Sequence, residues 1–412
     1  MSNQALEIFW QRGCPDLMIL NLELDGKPVK QNISLHKQLT TELEDLLCTL
    51  FYEARALVVE PLSAGHSGTG VLKVQPFYPD QGVGQKMVVK FGGIRQIERE
   101  YTNYRKYVRL FIGDSRNTAF LTKRRTRHLV GIVCSFVGTS IDQVQDFGTF
   151  YHQQSPSEVA SVLDQLFHHT CGSWYASHRP LWPLDLTEDY QQLFKYPLKF
   201  IERAISTHLR SLQSKEEQLP RSVKHAGASW LMNPLPLVAG AQPFIRPTYV
   251  CTTHGDLNPH NLFVDKSKQS WLIDFQSTGP GHILRDLAML DSVVRFQLLL
   301  PGEATLGERF AMEEALCSIK AFSQVEQLKT RFSTENPALA KTYATVIHLR
   351  ILAQGMMGNS LSDDMSEYFI ALLYNAFNTL RFSSLDVEQH EHALLSACLL
   401  VDHLKLGGNA MQ

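Results

Sequence analysis

Residues 254–275 constrain this chain more than any other stretch, because acids, an amide and histidines crowd the ends of two short apolar runs. His254-Gly255-Asp256-Leu257-Asn258-Pro259-His260-Asn261 leads into Leu262-Phe263-Val264-Asp265, then the polar Lys266-Ser267-Lys268-Gln269, then Ser270 to Phe275. Two apolar runs joined by a short polar segment predict a β-hairpin. A four-residue loop pairs 265 with 270 and 264 with 271, so Asn261 is expected opposite Asp274 at the open end. Asp256 lies five residues before Asn261, on a loop with Gly255 and Pro259 that can curl over the same end. Either acid alone could be a simple turn former. Two carboxylates and an amide oxygen together are hard donors, suited to Mg²⁺ shared with a nucleotide's phosphates, with one carboxylate left as base. His254, Asp256 and His260 also spell an H-x-D-x3-H set, but no carboxylate–histidine cluster stands elsewhere at a recognisable spacing.

The upstream half supplies what nucleotide chemistry would need. Ala56–Pro61 and Val71–Phe77 read as strands around the glycine-rich Ser63-Ala64-Gly65-His66-Ser67-Gly68-Thr69-Gly70. Gly65, Gly68 and Gly70 leave backbone N–H groups open to phosphate oxygens. The string is no P-loop, since Val71 stands where lysine is required, and Thr69 breaks a G-x-S-x-G elbow at Ser67. Lys90 interrupts the apolar strand Lys86–Phe91, a charge that is costly unless paired, with an exposed edge-strand lysine as the plain alternative. On the next helix Ile97, Tyr101, Tyr104 and Val108 form an apolar stripe. Glu98 and Glu100 flank that stripe, and helical geometry hardly separates them.

HGDLNPHN, then Ile273-Asp274-Phe275, then Arg285-Asp286-Leu287-Ala288 together resemble the aminoglycoside phosphotransferase and choline kinase-like branch of the protein-kinase-like superfamily. The resemblance covers about residues 56–290, with family-like helices beyond. It implies an α+β, bilobal protein-kinase-like fold: a small antiparallel N-terminal β lobe with one key helix, and a large, mostly helical C-terminal lobe. It implies that Asp256 faces the acceptor hydroxyl, that Asn261 and Asp274 hold magnesium, and that Asp286 braces the catalytic loop. It makes Lys90 the phosphate lysine, favours Glu100 as its partner, and places the loop of Gly65, Ser67, Gly68 and Gly70 over the nucleotide. The implied cofactors are ATP or GTP with Mg²⁺. The long, largely helical stretch between Gly138 and His254, with no A-P-E after Asp274, favours a small-molecule acceptor over a protein. A nucleotide-binding scaffold or pseudokinase, or a kinase acting on a protein, is the alternative.

Three segments are expected: a lead-in over 1–54 with a hairpin at Asp25-Gly26 and a helix over Gln38–Leu50, a nucleotide lobe over 55–138, and a helical lobe over 139–412. Within them, Leu17–Leu24 reads as strand and Tyr190–Gln213 as helix. The lead-in lies outside the resemblance and could dock a protein partner. Composition narrows the rest. With 39 Lys+Arg against 41 Asp+Glu the net charge is −2, which excludes a dedicated nucleic-acid or membrane-surface binder. The run Lys123–His128 is basic only locally. Seven scattered cysteines without a C-x-x-C pair, and a start without signal-peptide order, point to a reducing, cytoplasmic setting.

Overall fold

The computed structural model describes residues 6–11, 16–24, 27–31, 33–62, 68–110, 118–136, 141–195, 198–211, 218–220, 230–232, 234, 243–357 and 363–408. The fold is α+β, with an N-terminal β sheet and a mostly helical C-terminal part. Two compact units result: Met1–Asp146 with Asn261–Thr278, and Phe147–His260 with Gly279–Gln412. The break therefore falls at Asp146 rather than Gly138, and a later segment returns to the first unit.

The first unit opens with the strands β1 (Glu7–Trp10), β2 (Glu23–Leu24), β3 (Lys27–Pro28), β4 (Ala56–Leu62), β5 (Gly70–Tyr78), β6 (Gly82–Val83), β7 (Met87–Gly93), β8 (Thr118–Arg125) and β9 (Leu129–Phe136), and Val144–Asp146, Leu262–Asp265 and Ser270–Leu272 form a second, three-stranded sheet in it. The main sheet runs β1-β4-β5-β7-β9-β8, with β6 beside β5. All its pairings are antiparallel except β1 with β4. Strand alternation gives the sheet two apolar faces. Leu57, Val59, Leu72, Val74, Val89, Phe91 and Val133 face helix α2 (Ile33–Leu50), preceded in the chain by α1 (Asp16–Leu20). Val88, Val130, Ile132 and Cys134 face helix α3 (Ile94–Asn103).

The residues expected to form a separate lead-in are thus one layer of this core. The α2 stripe Leu39, Leu43, Leu46, Leu47 and Leu50 is buried against the sheet. Gly131 permits the approach, since a Cβ there would come within 3.0 Å of Leu46 and Leu50. Glu42 pins the helix polar side: it accepts from Thr126 Oγ1 at 2.6 Å, from His128 N at 2.5 Å and from Leu129 N at 3.1 Å. Burial would raise the Glu42 pKa, but these hydrogen bonds outweigh it and hold the carboxyl below its ordinary value. The expected strand over Leu17–Leu24 is instead the short helix α1 followed by β2. Asp25 and Gly26 lie outside the described residues.

The second unit carries a three-stranded sheet, Arg179–Asp185, Ile245–Thr253 and Gly279–His282, with Ile245–Thr253 central. The expected β block over 248–275 therefore divides: Ile245–Thr253 belongs here, and the hairpin that follows belongs to the first unit. Helices Phe147–Gln153, Pro156–Asp164, Gly172–Ala176, Leu186–Phe194 and Leu198–Ser211 fill the segment before it. The single helix expected over 190–213 is two, because Lys195 takes a left-handed conformation (φ 52°) and caps the first. Helices Arg285–Phe296, Leu306–Leu316, Pro337–Met357, Ser366–Thr379 and Val387–Gly408 complete the unit. Their core holds a closed charge network: Asp291 bridges Arg295 (2.6 Å) and Arg350 (3.1 Å), and Arg295 also reaches Glu313 (2.6 Å). Among the described residues no helix is long and apolar enough to cross a membrane.

Candidate functional site

Lys90 is placed by the alternation of β7. Val89 and Phe91 turn to α2, so Lys90 turns to the α3 side of the sheet. There its Nζ lies 2.8 Å from Glu100 Oε2 and 2.9 Å from Asp274 Oδ1. Glu98 goes elsewhere, 2.6 Å from Lys123 Nζ on β8. All three members of the cluster are largely buried. Burial alone would strip the lysine of its proton, but two carboxylates outweigh it and raise the Lys90 pKa above its ordinary value. Burial first, and then the charge of Asp274, lift Glu100 to about 7 against the pull of Lys90. One ammonium between two carboxylates leaves a deficit of positive charge. Buried carboxylates that outnumber the ammonium are hard-oxygen donors of the kind Mg²⁺ takes, and the Asn261 amide, one residue before the strand Leu262–Asp265, is another donor of that kind. Asn261 and Asp274 are the residues that would hold the ion.

The hairpin bearing Asn261 pairs Leu262 with Leu272, Phe263 with Trp271 and Val264 with Ser270. The expected register is off by one. The loop has three residues rather than four because the Asp265 carboxylate accepts from Ser267 N (2.8 Å) and Gln269 N (3.0 Å), and Lys268 adopts φ 61°. That is a type I turn followed by a left-handed residue. Asn261 consequently pairs with Ile273, whose N–H donates to the Asn261 carbonyl at 3.0 Å. Asp274 leaves the strand at φ 62°, ψ 73°, a conformation that a non-glycine residue adopts only when its surroundings hold it.

Those surroundings are visible. The Asn103 amide, one turn beyond Glu100 on α3, donates to the carbonyls of Phe275 (3.1 Å) and Gln276 (2.8 Å). Thr118 Oγ1 donates to Leu272 O at 2.8 Å. The Phe275 ring is buried against Tyr104 (5.9 Å) and Phe120 (6.0 Å), which stack on each other at 4.0 Å. Sequence reasoning missed Asn103 and Thr118. The one available signal was that Asn103 follows Glu100 by three residues on the same helical face.

Of the glycine-loop candidates, Gly65 and Ser67 lie outside the described residues. Gly68 needs its freedom, at φ 67°, and its carbonyl accepts from Glu23 N of β2 at 3.1 Å. Gly70 has a packing reason: a Cβ would sit 2.3 Å from the Phe91 ring.

In the second unit, Asp256 sits on the loop after Ile245–Thr253. The carboxylate of Asp286, fully buried, accepts from His254 N (2.7 Å), Gly255 N (2.9 Å) and Tyr175 Oη (2.8 Å). Gly255, at φ 78°, makes the bend that points both N–H groups that way. Asn258 Nδ2 donates to Asp256 Oδ1 at 3.2 Å, and His260 N donates to Asn258 Oδ1 at 2.9 Å. Arg285, next to Asp286, donates from Nη2 to both carboxylate oxygens of Asp189, at 2.8 and 2.7 Å. His254 is fully buried and His260 exposed, so the two do not share an environment. Trp174, Tyr175 and Tyr190 are core residues, and His168 and His169 are exposed.

A family model described as ternary complex associated domain 9 matches residues 54–195 and 213–381, well over half of the chain. The chain belongs to the ternary complex associated domain 9 family. The family match begins after α2 and includes Lys90, Glu100, Asp256, Asn261, Asp274 and Asp286. No curated protein matches this family member. Solved structures similar to it include an aminoglycoside-3'-phosphotransferase of type VIII (17% identity, TM-score 0.35, covering 74% of this chain and 98% of that one). A ternary complex of aminoglycoside phosphotransferase APH(4)-Ia with AMP-PNP and hygromycin B aligns at 11% identity and TM-score 0.42, covering 89% and 99%. Choline kinase LicA from Streptococcus pneumoniae aligns at 12% identity and TM-score 0.32, covering 82% and 99%.

Proposed function

We propose that this chain is a Mg²⁺- and nucleotide-dependent phosphotransferase that moves the γ-phosphoryl group of ATP or GTP to a hydroxyl of a small-molecule acceptor. The observation that carries the reading is the buried Lys90, held between Glu100 and Asp274 in a cluster short of positive charge. In this reading Lys90 binds the α/β-phosphates, and Glu100 keeps its ammonium oriented and charged. Bound Mg²⁺, on Asn261 and Asp274, would neutralise charge on the β- and γ-phosphates. Asp256 accepts the proton of the acceptor hydroxyl as its oxygen bonds to the γ-phosphorus and the bond to the β-phosphate oxygen breaks. Asp286 fixes the loop that carries Asp256. Such catalysis is positioning and charge compensation more than covalent chemistry. The helices between Phe147 and Ser211 support an acceptor site for a small molecule, and the free thiols among the described residues suit a cytoplasmic setting.

The test is phosphoryl transfer from Mg-ATP and Mg-GTP across amino sugars, amino alcohols and nucleosides. Asp256→Ala is expected to abolish turnover while nucleotide affinity stays within about twofold, since the base contacts the acceptor rather than the phosphates. Undiminished turnover in that variant would sink the mechanism. The family description, which speaks of a ternary complex, favours one second reading: a nucleotide-binding scaffold. Nucleotide binding without turnover on any acceptor, protein included, would select it.

A further inference from the structure

We infer that the outer face of α3 and the turn that follows is a docking surface for an acidic protein segment. The helix is two-faced. Ile97, Glu100, Tyr104 and Val108 are buried, while Arg95, Arg99, Arg105, Lys106 and Arg109 are all exposed. At 1.5 Å per residue the cations span about 21 Å, or four turns. A chain of net charge −2 has thus gathered five cations on one helical face. Glu98 on this flank pairs with Lys123 of β8 at 2.6 Å.

Charge alone would accept any polyanion; the apolar residues decide the class. Leu110, which closes the stripe, is 77% exposed. A protein segment rewards burial of a leucine, and phosphates do not. Single-stranded nucleic acid asks for open aromatic faces on which bases stack. The rings beside this stripe, Tyr101 and Tyr107, are half-buried, and each lies under a lysine, Lys123 Nζ at 4.4 Å and Lys106 Nζ at 4.8 Å. The partner that fits is a segment of about four helical turns with Glu or Asp at every third or fourth position and an apolar residue at one end.

The probe is a fluorescein-labelled 15-residue peptide of that pattern, titrated with the full chain and followed by anisotropy at rising salt. Saturable binding is expected, weakening as salt screens the pairs. The double variant Arg99→Glu/Lys106→Glu should bind at least about tenfold more weakly, and Lys266→Glu, at an exposed lysine of the hairpin loop outside the stripe, should bind as the unmodified chain does. Should the charge reversal disturb folding, as read by melting temperature, Arg99→Gln/Lys106→Gln serves in its place with a smaller loss. Three results would each overturn the proposal: no saturable binding, equal affinity in the stripe variants, or tighter binding of a 15-nucleotide single-stranded RNA than of the peptide.

Discussion

Glu100 shows how a single residue can serve a site at the expense of the fold around it. Its pKa is raised to about 7 by burial and by Asp274, so between the ordinary value of 4.5 and 7 the folded state binds more protons than the unfolded one. Stability contributed by the protonated form is present at low pH and is lost as pH rises through that window. Glu100→Gln is therefore expected to melt no lower than the unmodified chain at pH 8, because Asp274 still pairs with Lys90. Nucleotide affinity should fall by about tenfold or more, since the lysine loses the carboxylate that orients it. A clear drop in melting temperature at pH 8, with affinity intact, would contradict this assignment. The residues of the cluster were legible in the sequence, because a lysine in an apolar strand demands partners and the next helix offered two. What separated Glu98 from Glu100 was Lys123, and a competing partner 25 residues downstream leaves no periodic trace. The hairpin register was misjudged for a similar reason: backbone N–H bonds to the Asp265 carboxylate, not loop composition, set it.

At the scale of the element, α2 decides whether the first sheet has a core. Its leucine stripe was legible, but not what the stripe covers, since the sheet face is assembled from four strands far apart in sequence. That stripe is spent on the sheet. Leu46→Ala should cost about 2–5 kcal/mol, the range for truncating a buried leucine against a surface that cannot close up. Chemical denaturation of the full chain measures it, and a cost below about 1 kcal/mol would mean that α2 is not part of the core. By contrast, α1 escaped detection because five residues are too few for a helical period to show against a strand-like alternation. Helix α3 has a double assignment: one face presents Glu100 and Asn103 to the cluster, the other offers its cations outward.

Over the whole molecule, the order of residues and the order of assembly differ. The first unit is incomplete at Asp146, for it lacks the hairpin and turn of Asn261–Thr278 that satisfy Asn103, Thr118 and Lys90. Residues 1–146 alone are expected to lack a fixed α3, and the same fragment with 261–278 attached through a glycine-rich linker should recover it. Amide dispersion and hydrogen exchange at residues 94–108 would report the difference. A fragment ending at 146 that protects α3 as well as the linked form would refute this. The bilobal division was legible from the motif order; the exchange of a segment between units was not, because a hairpin between two strands gives no sign of which sheet it will join.

That returning segment also sets a clock. The ribosome delivers residues 147–278 after the first unit has otherwise emerged, and at about 5–20 residues per second this takes on the order of ten seconds. Throughout that interval Asp274 is not there to pair with Lys90, and Phe275 is not there to cover Tyr104 and Phe120. Nascent chains of this protein are therefore expected to expose aromatic surface for a period long compared with folding itself, the condition under which chaperones that bind emerging chains act.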